Sequence, residues 1–156
     1  SQAKESIYIQ TPYFIPDESL HEMLKIAVLS GVKVKIMIPS KPDHPFVYRA
    51  TEYFAKDIVE YGAEVYMYQN GFLHSKVMVV DDEIVSVGTA NMDVRSFKLN
   101  FEINAFIYDR DVAEELIANF DEDQKSCIRA THDYFANQSK GRKFKQAFSR
   151  LLSPIL

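Results

Sequence analysis

The sequence predicts an α/β fold, a mixed β-sheet with helices on both faces. Three observations carry this expectation. Strand-like and helix-like segments alternate over the first two thirds of the chain, the pattern of a sheet covered by helices. Helix stop signals stand between them, with Gly31 and Gly62 each followed by a strand-like run. With 156 residues, 47% of them hydrophobic and 13% aromatic, there is material for one well-buried core and, by length, one domain.

The elements follow in order. Ser6–Gln10, "SIYIQ", is short, β-branched and aromatic, and the two prolines of "TPYFIPD" interrupt regular structure before a helix. Asp17 is the expected N-cap. Leu20, Met23, Leu24, Ala27 and Val28 then recur at helical spacing up to Gly31. In "VKVKIMIP", Val32, Val34, Ile36 and Ile38 share one face of a strand while Lys33 and Lys35 take the other. A second helix is expected from about residue 45 to Tyr61, with Phe46, Ala50, Phe54 and Ile58 inward, and then the strand "EVYMY". "SKVMVVD" and "IVSVGTA" read as two strands joined by a tight "DDE" turn, and "NFEINAFIYD" at 100–109 as a longer apolar strand. Asp111 with Glu114 forms a capping box for a helix carrying Val112, Leu116, Ile117 and Phe120. Residues 121–140 are polar and partly helical by propensity, and "GRKFKQAFSRLLSPIL" closes as an amphipathic helix. The domain is accordingly expected over 1–130, with a tail over 131–156.

Charge and composition narrow the function. A net charge of −4 and a pI near 5.6 argue against a surface built to neutralise nucleic acid, so no nucleic-acid partner is expected. The single cysteine, Cys127, forms no internal disulfide. No apolar run approaches the roughly 20 residues of a membrane span, and the piece is expected to be soluble. Because it opens on "SQAKESIYIQ" without an initiator methionine, it reads as a fragment of a longer protein.

"GFLHSKVMVVDDEIVSVGTAN" carries the candidate chemistry. His74 and Lys76, two apart at the head of a strand, leave the same face, so an imidazole and an ammonium meet one substrate group. Imidazole is a nucleophile or proton carrier near neutral pH and ammonium offers three donors to an anionic oxygen, a pair suited to a phosphodiester. Asp81, at an odd offset from His74, faces away. The small residues of Gly88, Thr89, Ala90 and Asn91 let a ligand approach the backbone, with the Thr89 hydroxyl and Asn91 amide offered to phosphate oxygens. Glu102 is a carboxylate in an otherwise apolar strand and wants a partner, which an imidazole N–H would supply. Arg95 and Ser96 are second-rank candidates at a helix start or a substrate headgroup. His21, His44 and His132 lack a lysine two residues on and are expected at the surface or as caps; Tyr13 and Phe14 are expected in the core.

His74, Lys76, Asp81, Gly88, Thr89 and Asn91 reproduce the His-x-Lys-x4-Asp-x6-Gly-(Gly/Ser/Thr)-x-Asn signature of the phospholipase D superfamily with every spacer in place. "QTPYFIPD" and "GTANMDVRSFKLNFEINAFIYD" also resemble the C-terminal half of bacterial cardiolipin synthases, over roughly residues 5–120. The resemblance implies one half of a phospholipase D-like α-β-α fold. It makes His74 one of two active-site histidines, Lys76 and Asn91 phosphate ligands, and Glu102 the carboxylate that orients His74. Asp81 belongs to the catalytic motif as a structural member.

The implied reaction transfers a phosphatidyl group between two phosphatidylglycerol molecules through a phosphohistidine, giving cardiolipin and glycerol without metal or organic cofactor. A nucleophile and a leaving-group acid cannot be the same imidazole, so the resemblance implies a missing N-terminal half with a second His-x-Lys motif, or a twofold copy. The expected partners are phosphatidylglycerol, other anionic phospholipid and a membrane surface, with the parent protein at the bacterial cytoplasmic membrane. A phospholipase D, a homodimeric nuclease or phosphodiesterase, and a non-catalytic lipid-binding domain are the alternatives. The closing helix, with Phe144, Phe148, Leu151 and Leu152 at helical spacing beside Arg142, Lys143, Lys145 and Arg150, either packs by its apolar face on this domain or the missing half, the first expectation, or enters an anionic bilayer.

Overall fold

The computed structural model describes residues 3–41 and 43–152. Its elements are β1 (Ser6–Gln10), β2 (Phe14–Ile15), α1 (Glu18–Leu29), β3 (Lys33–Pro39), α2 (Pro45–Glu60), β4 (Glu64–Tyr68), β5 (Val77–Val80), β6 (Ile84–Gly88), β7 (Met92–Asp93), α3 (Val94–Lys98), β8 (Asn104–Tyr108), α4 (Arg110–Gln124), β9 (Cys127–Ala130), α5 (His132–Ala136) and α6 (Lys140–Leu151). Seven strands form one mixed sheet in the order β8-β6-β5-β1-β3-β4-β9. Strands β1, β3 and β4, linked through helices, run parallel; β5, β6, β8 and β9 join antiparallel. A second sheet of two short strands pairs β2 with β7 and ties the segment after β1 to the one after β6.

Alternation along the strands decides which side chains meet which helix. Ile7, Ile9, Val34, Ile36, Ile38 and Val65 point to one face, where Leu24 and Ala27 of α1 and Tyr48, Ala55 and Ile58 of α2 cover them. Tyr8, Met37, Tyr66, Val79 and Val85 point to the other, under Val112, Ala113, Leu116 and Phe120 of α4. Both faces of β3 are therefore buried. Lys35, expected on a polar face, lies under α4, with its ammonium bonded to Asp121 and Gln124 and 5.1 Å from the Tyr8 ring. The α1/α2 side stops short of β6 and β8, which leaves Phe106 and Tyr108 exposed.

Several expectations change in the structure. Phe46, expected inward, is exposed at the start of α2. The apolar strand at 100–109 is regular only over Asn104–Tyr108. Asp109, not Asp111, caps α4, its carboxylate accepting from Val112 N at 3.1 Å. β9 lies within a stretch read as polar and helical, and it forms the edge beside β4. Asp17 caps α1 as expected, accepting from Leu20 N.

The helix α6 docks on α2, but by its polar stripe and not by the apolar face expected to pack. Arg142, Gln146 and Ser149 form the stripe that faces α2, and Arg142 and Gln146 bond Glu52, which is 0% exposed. Arg49 completes the cluster at 2.5 Å. A buried carboxylate is tolerated when paired and hydrogen-bonded in this way. The apolar stripe of α6 faces outward, so it does not pack on this domain as expected. Residues 153–156 of that stretch lie outside the described residues.

Candidate active site

Hairpin geometry assembles the site. Val80, Asp81, Asp82 and Glu83 turn the chain with both central residues at φ 53°, and Glu83 N donates to Val80 O at 3.2 Å. A turn with two positive φ values has the twist that matches paired strands. It sets the register Val77↔Val87, which places Lys76 next to Gly88, whose N–H donates to Lys76 O at 3.2 Å. Lys76 and Gly88, twelve positions apart in sequence, thereby meet at the end of the sheet where β1 and β3 finish; Gln10 pairs with Val77, and Thr11 N donates to Met37 O.

His74 and Lys76 precede the strand on which they were expected. Residues 72–76 are irregular, β5 begins at Val77, and the Lys76 ammonium donates to the His74 carbonyl at 2.9 Å. His74 is exposed, its ring tilted against Phe72 with centroids 5.7 Å apart. Lys76 is half-buried. Its burial lowers the ammonium below the ordinary lysine range, against the opposing pull of Glu102 and Asp93.

Gly88 is required for a different reason from the one expected. A Cβ there would stand 2.1 Å from Ile103 O and 2.6 Å from Asn104 Cα. The backbone that approaches Gly88 is that of β8 and its lead-in, not a ligand. Thr89 is drawn into the same junction: its N–H donates to Ile103 O at 2.9 Å and its hydroxyl accepts from Ile103 N at 3.0 Å. Asn104, which sequence reasoning missed, holds the turn from both ends, its Oδ1 accepting from Ala90 N and its Nδ2 donating to Ser86 Oγ. A polar residue opening an apolar strand was its only signal. Asn91 N–H donates to Ser96 Oγ, while the Asn91 side-chain oxygen is buried with no hydrogen-bond partner among the described residues. Ser96 takes the helix-start role, its N–H bonded to Asp93, the N-cap of α3.

Glu102 lies before β8 and is partly exposed, not buried within the strand. The nearby Thr89 hydroxyl, with hydrogen bonds from Asn100 and Ser96, lowers its carboxyl below the ordinary range, and Lys76 adds to this. Among the described residues its bonds go to Asn100 at 3.1 Å and Ser96 at 3.5 Å; none goes to His74. Glu102 sits on the Lys76 side of the site.

Asp81 stands at the opposite end of β5 from His74. Its carboxylate accepts from the N–H groups of Lys4, Glu5 and Ser6, binding the hairpin turn to the start of β1. Burial raises the Asp81 carboxyl, but the three backbone donors outweigh it, and the pKa falls below the ordinary 3.8. A carboxyl with a depressed folded-state pKa contributes stability above its unfolded pKa and loses it as pH falls through the folded one. Asp81→Asn, which keeps the left-handed turn accessible, is expected to cost about 1–2 kcal/mol at neutral pH, the scale of charged hydrogen bonds reduced by partial exposure. Denaturant titrations should show the wild-type advantage shrinking below pH 3.8. An equal gap at all pH values would contradict this role.

Of the other histidines, His132 is exposed and bonds Glu60, and His44 caps α2 by its backbone. His21 differs from expectation: it is buried, with Nε2 2.7 Å from Asp57, and burial lowers its pKa. Phe14 is in the core; the Tyr13 hydroxyl donates to Asp43. Among the described residues no cluster of His, Cys, Asp and Glu could hold a metal, and no helix is long and apolar enough to cross a membrane. A surface cavity of about 1110 Å³ beside Asp81–Glu83 and Arg110 lies away from His74.

Known proteins give this arrangement a setting. The family model described as "Cardiolipin synthase, PLD-like domain" matches residues 1–124. A cardiolipin synthase of Oceanobacillus iheyensis is 57% identical over 155 residues, 99% of this chain and 32% of that protein. The major cardiolipin synthase ClsA of Bacillus subtilis is 57% identical over 156 residues, again 32% of its length. The chain thus spans about a third of these relatives. Among solved structures, a phospholipase D family member, Nuc, from Salmonella typhimurium superposes with TM-score 0.73 at 23% identity, covering 83% of this chain and 84% of that one. Phosphatidylserine synthase of Haemophilus influenzae gives 0.75 at 20% identity, over 99% of this chain and 42% of its own. These structures share the fold that joins Lys76 to Gly88, and with the match over residues 1–124 they lead to one conclusion: the chain belongs to the phospholipase D-like domain family of cardiolipin synthases.

Proposed function

We propose that this chain supplies one half-site of a cardiolipin synthase, which transfers a phosphatidyl group from one phosphatidylglycerol to a hydroxyl of another. The observation that carries the reading is the junction of Lys76 with the Gly88–Asn91 turn beside an exposed His74. Lys76 donates to the phosphate oxygens together with the Asn91 amide, and the Thr89 junction holds the turn that presents them. One imidazole attacks phosphorus and forms a phosphohistidine, while a second, facing it, protonates the departing glycerol alkoxide. The second imidazole then takes the proton of the incoming hydroxyl, whose oxygen displaces histidine. His74 is one of this pair. Glu102 favours the charged form of Lys76 against its burial.

The other imidazole belongs to a part of the parent outside this chain, which spans 32% of its relatives' length. Its docking surface is the uncovered side of β8 with Phe97, Leu99, Phe101, Ile103 and Phe106, an exposed apolar area next to Glu102. Alone, the chain is expected to be close to inactive.

The test joins this chain to the remainder of its parent, supplies labelled phosphatidylglycerol and identifies the products. Cardiolipin and glycerol are expected. Phosphatidic acid would favour a phospholipase D, and no product a binding domain. Turnover is expected to persist in chelator, because Lys76 and its counterpart supply the positive charge at phosphate; loss of activity restored by one divalent ion would contradict this.

A further inference from the structure

We propose that α6 is a docking element for an anionic phospholipid surface. Helices usually bury their apolar stripe and expose their polar one. Here the order is reversed. Arg142, Gln146 and Ser149, spaced i, i+4, i+7, face α2 because Glu52 is buried there and takes bonds from the first two. Phe144, Phe148 and Leu151, with the same spacing two residues further on, are 73%, 48% and 74% exposed. Phe46 of α2, 57% exposed, adjoins them across a groove of about 230 Å³ that Phe144 and Phe148 line with Pro45. Among the described residues nothing covers these four large apolar side chains in one outward patch.

Charge selects the occupant. Between Lys140 and Arg150 there are five cations, and no acidic residue follows Asp133, although the chain as a whole carries −4. Arg142 is consumed by Glu52 and Arg150 stacks over the Tyr53 ring of α2 at 5.0 Å, but Lys140 and Lys145 are exposed beside the apolar stripe. Apolar side chains rimmed by cations match a layer of anionic headgroups over acyl chains. A second copy of this chain would bring the same cations to the interface and repel.

Position adds a consequence for the proposed transferase. α2 starts beyond the C-terminal end of β3, the end of the sheet at which Thr11 and Lys76 lie, and Phe46 is in its first turn. Docking through Phe46, Phe148 and Leu151 holds that end of the domain at the surface from which the lipid is drawn. This deepens the transferase reading, yet binding is measured without turnover, so either can fail alone.

The test is flotation of the full 156-residue chain with vesicles of phosphatidylglycerol mixed into phosphatidylcholine, or of phosphatidylcholine alone. Wild type is expected to float with the anionic vesicles, to release in high salt, and to ignore the neutral ones. Phe144→Ser with Phe148→Ser, and separately Lys140→Glu with Lys145→Glu, should each lower binding about tenfold or more. All four side chains are exposed, so thermal melting by circular dichroism should match wild type. His74→Ala should bind as wild type does. The proposal is overturned if wild type does not float, floats equally with neutral vesicles, or loses nothing in either double variant. It is also overturned if sedimentation shows the serine variant breaking a dimer, or if that variant binds vesicles normally but no longer assembles with the rest of the parent.

Discussion

His74→Ala should reduce phosphatidyl transfer by the assembled enzyme by about 10²–10⁴ or more, the usual cost of a lost acid, base or nucleophile. Lys76→Ala should fall in the same range, because no other cation of the described site donates at that position of the phosphate. Folding separates this from general damage. His74 is exposed in an irregular segment and its side chain has no hydrogen bond among the described residues, so its removal should leave the melting temperature unchanged. Lys76→Ala gives up one bond to the His74 carbonyl, about 1 kcal/mol. Added imidazole should restore part of the turnover of a His74→Gly variant, since the cavity left behind opens to solvent. Near-normal product formation by His74→Ala or Lys76→Ala would refute the assignment of the site.

Gly88→Ala is expected to be among the most destabilising single changes in the chain. The added methyl meets backbone, Ile103 O at 2.1 Å and Asn104 Cα at 2.6 Å, and backbone in a ladder cannot swing aside as a side chain can. Relief requires β8 to draw away from β6, breaking the Thr89 N–H bond to Ile103 O. The expected cost is about 3 kcal/mol or more, read from urea unfolding. Gly141→Ala is the control. A Cβ there meets nothing, and in a helix alanine is favoured over glycine, so the change should be neutral or stabilising by up to about 1 kcal/mol. Comparable effects at the two glycines would show that packing at Gly88 is looser than its distances indicate. Because the same junction positions Thr89, Asn91 and Asn104, any folded Gly88→Ala should also lose turnover.

What could be read without the structure was local. The hairpin of β5 and β6, its tight turn and the capping of α1 depend on residues a few positions apart, so alternation, turn chemistry and spacing are enough to infer them. That inference extends to the site, since pairing of β5 with β6 by itself carries Lys76 to Gly88. Asp81 was read from an odd offset along one strand, but His74 precedes that strand, and the three amides that bind Asp81 come from the start of β1.

Tertiary structure alone decided the rest, where a residue's environment comes from segments distant in the chain. β9 has four residues, two of them exposed, and exists as a strand only because β4 offers an edge. Gly88 looked like a place for a ligand because nothing in its neighbourhood of sequence announces that Ile103 will lie against it. Glu102 bonds its own loop because β8 begins four residues later than the strand expected at 100–109. The periodicity of α6 marks an apolar stripe and a polar one correctly, and then says nothing of which is buried. That depends on Glu52, 90 residues away from Arg142, where a carboxylate shut from water needs two arginines and a glutamine more than the phenylalanines need cover.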